Sequence, residues 1–144
     1  MKKPKNTATT AFIITLSIGL IFLVTLILIR DSLALSFFDG QDAQIATLAI
    51  TLLGILAFTQ PFECIATVSN GILRGLKDTK IPMFISIGAF WIFGFGGGWS
   101  LAFYYDYQAT GIWLGLLAAS FAYCVAMVAR FRISTKFHLA RISG

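Results

Sequence analysis

The sequence predicts an all-α integral membrane protein with four transmembrane helices. This fold class follows from the composition, from four long uncharged windows and from the placement of the basic residues. Hydrophobic residues make up 58% of the 144 residues, and charged residues only 12%. A soluble globular domain carries about 25% charged residues, so this composition is typical of a protein that lies in lipid.

The uncharged windows define the helices. Each is close to or longer than the roughly 20 residues needed to cross a hydrocarbon core about 30 Å thick. The windows that lack Asp, Glu, Lys and Arg are 11–29, 43–62, 81–105 and 107–129. Within a transmembrane region over 11–130, we predict helices over residues 11–29, 43–73, 82–104 and 109–130. A short segment, 1–10, precedes them, and a basic tail, 131–144, follows as a frayed end or a segment lying on the membrane surface.

The basic residues predict the orientation. All of the eleven Lys and Arg residues except Arg30 lie before the first helix, between the second and third helices, or after the fourth. The positive-inside rule assigns these segments to the cytoplasm, so both termini are expected there. Because the charges flank apolar windows, they indicate membrane anchoring and no nucleic-acid partner.

Glu63 is an acidic residue inside the second predicted span. It precedes Arg74 by eleven residues, which corresponds to about 16 Å along a helix. If Arg74 marks the inner interface, Glu63 lies near the middle of the bilayer, where a charged carboxylate costs about 3 kcal/mol on insertion scales. An acid at this depth indicates a functional site.

Polar side chains share one flank with Glu63. Residues three and four apart lie on the same helix face, and this spacing gives Gln60, Glu63, Thr67, Asn70 and Arg74. Such a flank must face other helices or a water-filled cavity. We predict that Glu63 binds a coupling cation or proton in a polar cavity lined by Thr59, Gln60, Thr67 and Asn70. In the alternative interpretation, the flank packs against a neighbouring helix, and Glu63 is protonated and hydrogen bonded.

Proline and glycine residues mark positions of packing or bending. Pro61 lacks a backbone N–H and leaves the carbonyl of Ala57 without its helical donor, which makes that carbonyl a candidate cation ligand beside Glu63. The third helix contains GFGGG, and the spacing GxxxG occurs there and again at Gly111 and Gly115. Small residues permit close helix packing, whereas three consecutive glycines weaken a helix and permit a hinge. The residues predicted to act in packing or as a hinge are Pro61, Gly94, Gly96, Gly97 and Gly98.

The run NGILRGLKDTKIPM over 70–83, followed by AFWIFGFGGGWSLAF and TGIWLGLLAAS, resembles the MATE (multidrug and toxin extrusion) family of transporters. The resemblance is strongest to its bacterial NorM-like branch and covers nearly the whole chain. It implies the last four helices of a fold with twelve helices in two lobes, in the bacterial inner membrane.

The resemblance also implies a role for Glu63. On the corresponding helix of the family, an acidic residue shortly after a glutamine helps to bind the coupling Na⁺ or H⁺, and these two positions fall on Glu63 and Gln60. Many NorM-like members have aspartate at the position of Glu63 and tyrosine near Thr59, and a proline is common at the position of Gly96. Because glutamate is longer than aspartate, the choice between Na⁺ and H⁺ stays open.

These observations lead to the hypothesis that the chain is the C-terminal portion of a cation-coupled antiporter that exports organic or drug-like compounds. The family's other coupling carboxylate and the cavity between the lobes lie outside these four helices, so we expect a fragment that is not transport-competent alone. The expected partners are the lipid bilayer, an organic cation or drug-like substrate, and the missing helices or a homo-oligomeric partner. The coupling ion is expected, but no other cofactor.

Two alternatives to this hypothesis stay open. The chain is either a non-transporting fragment that only binds other membrane helices, or a self-sufficient homodimeric small exporter. The uncharged first helix argues against the second alternative, because small multidrug exporters carry their essential glutamate there.

An enzyme is not indicated. The single histidine, His138, lies in the tail, and the sequence offers no nucleophile–base pair or cluster of metal ligands. Cys64 and Cys124 lie inside predicted helices, where thiols behave as small hydrophobic side chains. Neither a disulfide nor a metal site is therefore predicted.

Overall fold

The computed structural model describes residues 4–37 and 43–142, and every regular element in these ranges is helical. Helix α1 spans Pro4–Phe37, α2 spans Ala43–Gly75 and α4 spans Gln108–Ile142. The name α3 denotes the rod Lys80–Tyr104, which is α-helical over Lys80–Ala89 and π-helical over Phe90–Gly97 and Ser100–Tyr104. All four helices are long and apolar enough to cross a membrane. The prediction of an all-α protein with four transmembrane helices is confirmed.

The helix bounds differ from the prediction at α1 and α4. Helix α1 extends beyond the predicted 11–29 at both ends, so that Arg30 and Asp31 lie within a helix and not in a loop. Helix α4 continues from the predicted 109–130 to Ile142, through most of the segment predicted as a separate tail. An uncharged window marks only the part of a helix that lies in lipid, whereas backbone hydrogen bonds continue a helix under polar side chains as well.

The helices lie side by side in the order α1, α2, α4, α3. Neighbours α1 and α2 are antiparallel, and so are α3 and α4. Helices α2 and α4 run in the same direction, because Glu63 of α2 meets Ser120 of α4, and Asp78, just beyond α2, meets Arg130, ten residues further along α4. Helix α4 therefore packs between α2 and α3.

The buried core is small and lies where α2, α3 and α4 meet. Its fully or nearly fully buried members are Ala66 and Leu73 of α2, Ala89 of α3, and Tyr123, Cys124 and Met127 of α4. Large hydrophobic side chains elsewhere are mostly exposed, as Ile21, Trp91 and Phe103 illustrate. Exposed apolar side chains of this kind are expected on helices that are solvated by lipid.

Glycines bring α3 and α4 into backbone contact. A Cβ atom added at Gly115 of α4 would overlap the backbone of Gly98 of α3, and one added at Gly111 would lie 2.6 Å from the backbone nitrogen of Ala102. In lipid, helix association depends on close packing rather than on the hydrophobic effect. The two GxxxG patterns of the sequence therefore face each other across one interface.

A six-residue turn ends α2 and sets the position of Asp78. The N–H of Asp78 donates to the carbonyl of Leu73 at 2.9 Å, and the N–H of Lys77 donates to the carbonyl of Arg74 at 3.0 Å. This pair of bonds is the Schellman pattern, and Lys77 occupies its left-handed position with a φ of 62°. The turn directs Asp78 towards α4.

Asp78 forms an ion pair with Arg130 of α4. Both Nε and one terminal nitrogen of Arg130 lie 2.8 Å from Oδ2 of Asp78. The two side chains are mostly buried, with 16% of Asp78 and 27% of Arg130 exposed. Charge-assisted hydrogen bonds of this length are among the stronger polar contacts in proteins, so the pair anchors the α2–α3 turn to α4.

Replacing Gly115 with alanine is expected to lower the stability of the bundle. The added Cβ would meet the backbone of Gly98, which cannot move as a side chain does, and overpacking of this kind costs about 1–3 kcal/mol. The measurement is thermal unfolding in detergent, followed by circular dichroism. Gly71→Ala is the matched control, because nothing lies within 4 Å of a Cβ at Gly71. Equal melting temperatures for the two variants would contradict the backbone contact.

Replacing Asp78 with asparagine is expected to destabilise the chain by about 1.5–3 kcal/mol, because it removes the charge that Arg130 binds. The same unfolding measurement applies. Asp106→Asn, which neutralises an exposed acid in the α3–α4 loop, should leave the melting temperature nearly unchanged. The exchange of both charges, Asp78→Arg with Arg130→Asp, should recover part of the loss. A loss no greater than that of Asp106→Asn would show that the ion pair contributes little.

Candidate functional site

Glu63 lies on the flank of α2 that contacts α4. The hydroxyl of Ser120 on α4 donates a hydrogen bond to Oε1 of Glu63, with 2.6 Å between the two oxygens. Ser120 is buried and 4% exposed, whereas Glu63 is half-buried. An O–H···O distance of about 2.5–2.7 Å is typical of a hydroxyl that donates to a carboxylate. The acid is therefore held by the neighbouring helix while part of its surface stays open.

A second polar contact joins the same two helices closer to the end of the bundle where α2 finishes. The side-chain nitrogen of Asn70 lies 3.4 Å from the hydroxyl oxygen of Tyr123, to which it donates. Tyr123 is buried and packs its ring on Phe90 of α3, with 5.7 Å between ring centroids. The α2–α4 seam, defined here by Glu63, Asn70, Ser120 and Tyr123, thus carries two hydrogen bonds between side chains.

The other residues of the predicted polar flank follow the open edge of this seam. Gln60 is half-buried, and Thr67, which lies between Glu63 and Asn70 along the flank, is exposed. Arg74 is exposed at the end of α2. Thr59 is buried, and its hydroxyl donates to the carbonyl of Leu56 in its own helix at 2.7 Å. The flank therefore borders α4 instead of being covered by it.

Pro61 belongs to a different side of α2. A Cβ atom added at Gly19 of α1 would lie 2.9 Å from the sulfur of Cys64 and 3.5 Å from Cα of Pro61. Pro61 and Cys64 therefore face α1, while the carboxylate of Glu63 faces α4. The helix remains continuous through Pro61.

The predicted glycine sites lie on α3, and two of them contact α4. A Cβ added at Gly94 would lie 3.5 Å from the side chain of Ala119, the residue next to Ser120, and one added at Gly98 would lie 3.3 Å from the backbone of Ile112. Gly96 and Gly97 lie in the π-helical segment, and Cβ atoms there would meet only carbonyl oxygens of their own helix, at 3.6 Å and 4.0 Å. Gly94 therefore lies near the α2–α4 seam. Gly96 and Gly97 are half-buried, and Cβ atoms added there would not meet α4.

Ser120 and Tyr123 are functional candidates that the sequence reasoning missed. Ser120, Tyr123 and Arg130 recur at intervals of three and seven residues, which places them on one face of α4. Their partners Glu63, Asn70 and Asp78 follow the same direction along α2 and its turn. A search for a second polar flank, matched to that of α2, would have found them.

Arg30 is a further charged side chain that lies inside a span. Its guanidinium lies against Gly54 of α2. A Cβ atom added at Gly54 would lie 3.0 Å from a terminal nitrogen of Arg30. Nε is buried and makes no hydrogen bond to the described residues, and the carboxylate of Asp31 lies 3.7 Å away. Gly54 thus provides the space that this side chain occupies between α1 and α2.

The seam supplies oxygen atoms of the kind that bind small hard cations. Glu63 offers a carboxylate and Ser120 a hydroxyl, and a hydroxyl can donate to a carboxylate or accept from a carboxylic acid. Among the described residues, no group of three or more His, Cys, Asp or Glu side chains could hold a metal ion.

Comparison with known proteins identifies the family that the chain resembles. The sequence pattern of the MatE family matches residues 1–99, which include Glu63 and the α2–α3 turn. The multidrug resistance protein NorM of Burkholderia vietnamiensis is 40% identical over 102 residues, which cover 71% of this chain and 22% of that protein. A probable multidrug resistance protein NorM of Brucella suis is 38% identical over 106 residues, or 74% of this chain and 22% of that protein.

A more distant relative aligns over more of the chain. The probable NorM protein of Rhodopseudomonas palustris is 29% identical over 131 residues, which cover 87% of this chain and 28% of that protein. The chain thus spans between a fifth and a third of the length of these three relatives. No solved structure matches the chain at a significant level.

The resemblance found in the sequence is confirmed by these comparisons. Four apolar spans, a family match over more than half of the chain and relatives that share the same segments all agree. We conclude that this multi-pass membrane protein belongs to the MatE family.

Proposed function

We propose that this chain forms part of a cation-coupled antiporter that exports organic, drug-like compounds, and that Glu63 takes the coupling ion, Na⁺ or H⁺. The observation that supports this most directly is the 2.6 Å hydrogen bond from Ser120 to Glu63 at a half-open position inside the membrane span. An acid inside a span that served packing alone would be expected to be fully enclosed. The names of the relatives, multidrug resistance proteins, suggest the class of exported compound.

The Ser120 hydroxyl allows the site to exchange ions with little movement. In the ion-free state its proton points to the Glu63 carboxylate, and it helps to compensate the negative charge. When a proton binds Glu63, the new carboxyl O–H donates to the Ser120 oxygen, and the hydroxyl proton turns away. When Na⁺ binds, the Ser120 oxygen and the carboxylate both present lone pairs to the ion. One rotation of a hydroxyl group serves all three states.

The remaining polar flank provides a path between this site and one end of the bundle. Thr67 and Arg74 are exposed along the flank, and Asn70 lies between them with its amide donating to Tyr123. The hydroxyl of Thr67 and the amide oxygen of Asn70 can accept contacts from a cation as it moves along the helix, whereas the positively charged Arg74 marks the end of this path. This surface then acts in transport and carries out no enzymatic reaction. Helices outside this chain, or a second copy of it, would supply the other half of the substrate cavity.

Neutralising Glu63 is expected to abolish ion-driven export. We would exchange residues 1–144 for the segment of the Burkholderia vietnamiensis relative that contains its 102 aligned residues, and measure efflux of a fluorescent organic cation from vesicles under an imposed Na⁺ or H⁺ gradient. Glu63→Gln keeps the size of the side chain and removes its charge. It should reduce gradient-driven efflux to the level of empty vesicles, whereas Asp106→Asn, an acid in the exposed α3–α4 loop, should leave efflux unchanged. Export by Glu63→Gln at the level of the unaltered chimera would exclude Glu63 from coupling.

Variants of Ser120 distinguish an ion ligand from a packing residue in the same assay. Loss of a hydrogen bond to a charged group costs about 1.5–3 kcal/mol. Ser120→Ala should therefore raise the half-saturating concentration of the coupling ion by roughly tenfold or more. Ser120→Thr retains the hydroxyl and should retain most of the affinity. Equal ion affinities of the alanine and threonine variants would show that the hydroxyl does not contact the ion.

The distribution of basic residues supports a location in the bacterial inner membrane with both termini in the cytoplasm. Alkaline phosphatase, which is active only outside the cytoplasm, should be inactive when fused after residue 79 or residue 144. It should be active when fused after residue 40 or residue 106. The opposite pattern of activity would reverse the proposed orientation, and mixed activity at one fusion site would show that a span does not cross the membrane.

A further inference from the structure

A pocket lies between the end of α2 and the beginning of α3, apart from Glu63. Its volume is about 490 Å³. Its lining residues are Asn70, Arg74, Thr79, Lys80, Pro82, Met83 and Ser86. Pockets of about 300–1,000 Å³ are of the size that holds small molecules or their headgroups. Five of the seven lining side chains are polar or charged, which distinguishes this pocket from the apolar groove between α1 and α4.

The two basic side chains of the pocket lack an acidic partner. Among the described residues, the recorded ion pairs join Arg30 to Asp31 and Arg130 to Asp78, and neither Arg74 nor Lys80 takes part in one. Asp78 is the acid nearest to them in sequence, and its carboxylate already receives two nitrogens of Arg130. The pocket therefore carries two positive charges that no described residue neutralises.

The neutral side chains leave hydrogen-bond donors available as well. Thr79 makes no side-chain capping bond to α3, so its hydroxyl can donate to a ligand. Asn70 uses one amide N–H for Tyr123 and keeps a second. Pro82 is buried and Met83 is 51% exposed, so these two give the pocket an apolar side next to the polar one. A ligand that fits has an anionic headgroup joined to an apolar part.

We propose that this pocket binds a phosphate group, carried by an anionic phospholipid of the adjacent leaflet or by a small soluble phosphate ester. Arg74 would contact two phosphate oxygens with its planar guanidinium, and Lys80 would add a point charge from the α3 side. The exposed edge at Met83 would receive the glycerol and the first part of an acyl chain. Basic pockets between transmembrane helices are a recurring form of lipid headgroup site. Because α2 and α3 both contribute, a bound phosphate would hold together the two helices that flank the turn at Asp78.

The test uses the purified full chain in detergent and measures binding by native mass spectrometry. The probes are phosphatidylglycerol, phosphatidylcholine as the zwitterionic comparison, and glycerol 3-phosphate as the headgroup without acyl chains. We expect the double variant Arg74→Gln/Lys80→Gln to lose affinity for the phosphate probe by roughly 30-fold, which corresponds to about 1 kcal/mol for each basic residue. Phosphatidylglycerol that binds while glycerol 3-phosphate does not identifies a lipid, and glycerol 3-phosphate that competes equally identifies a soluble ester.

The matched control removes two positive charges from the same end of the bundle but outside the pocket. Lys77→Gln/Arg132→Gln changes the net charge equally, and both residues are exposed. This control variant should leave the affinity within about twofold of that of the original chain, because the charges of Lys77 and Arg132 attract an anion only over a distance and do not contact it. The single variants Arg74→Gln and Lys80→Gln should each lose roughly fivefold in affinity, which corresponds to about 1 kcal/mol, and they stand in if the double variant unfolds. Equal losses in the pocket variant and the control, or binding that neither variant changes, would overturn the proposed site. These outcomes are independent of Glu63 and of ion coupling.

Discussion

The structure depends on the need to satisfy polar groups inside hydrocarbon, where water is absent. Helix α2 carries a row of such groups from the middle of its span to its end, and α4 meets that row with Ser120 and Tyr123. Beyond the end of α2, Asp78 continues the same contact with Arg130. Three polar contacts in line therefore set the register of two helices that run in the same direction.

Helix α4 also forms the interface on its opposite side, where packing replaces hydrogen bonding. There Gly111 and Gly115 allow the backbone of α3 to approach closely. Gly94 of the π-helical segment lies against Ala119, and Ala119 precedes Ser120 in the chain. Ser120, which holds Glu63, therefore lies next in the chain to the contact between α4 and the π-helical part of α3, and π-helical turns often occur at functional positions.

The sequence of α2 alone predicts much of the candidate site. The position of Glu63 and the polar spacing of its flank were readable, because side chains three and four residues apart must share a face. The sequence shows that Ser120 and Tyr123 share a face of α4, but it does not show that this face meets Glu63 of α2, so Ser120 was missed. The same limit applies to Pro61: sequence placed it beside Glu63, whereas the structure turns it with Cys64 towards Gly19 of α1. Adjacent positions in a helix point in different directions, and only the neighbours decide which contacts result.

Composition and distances along the chain were enough to predict a helical protein, four helices long and apolar enough to cross a membrane, and the place of Glu63 within the second of them. Three features follow only from the packing of the helices: the helix order α1, α2, α4, α3, the contact of Glu63 with α4 and, among the described residues, the lack of an ion pair at Arg74 and Lys80. The physical reason is that apolar patterns in lipid do not favour one helix pair over another. Pairing is set instead by where small residues allow close approach and where polar side chains find partners.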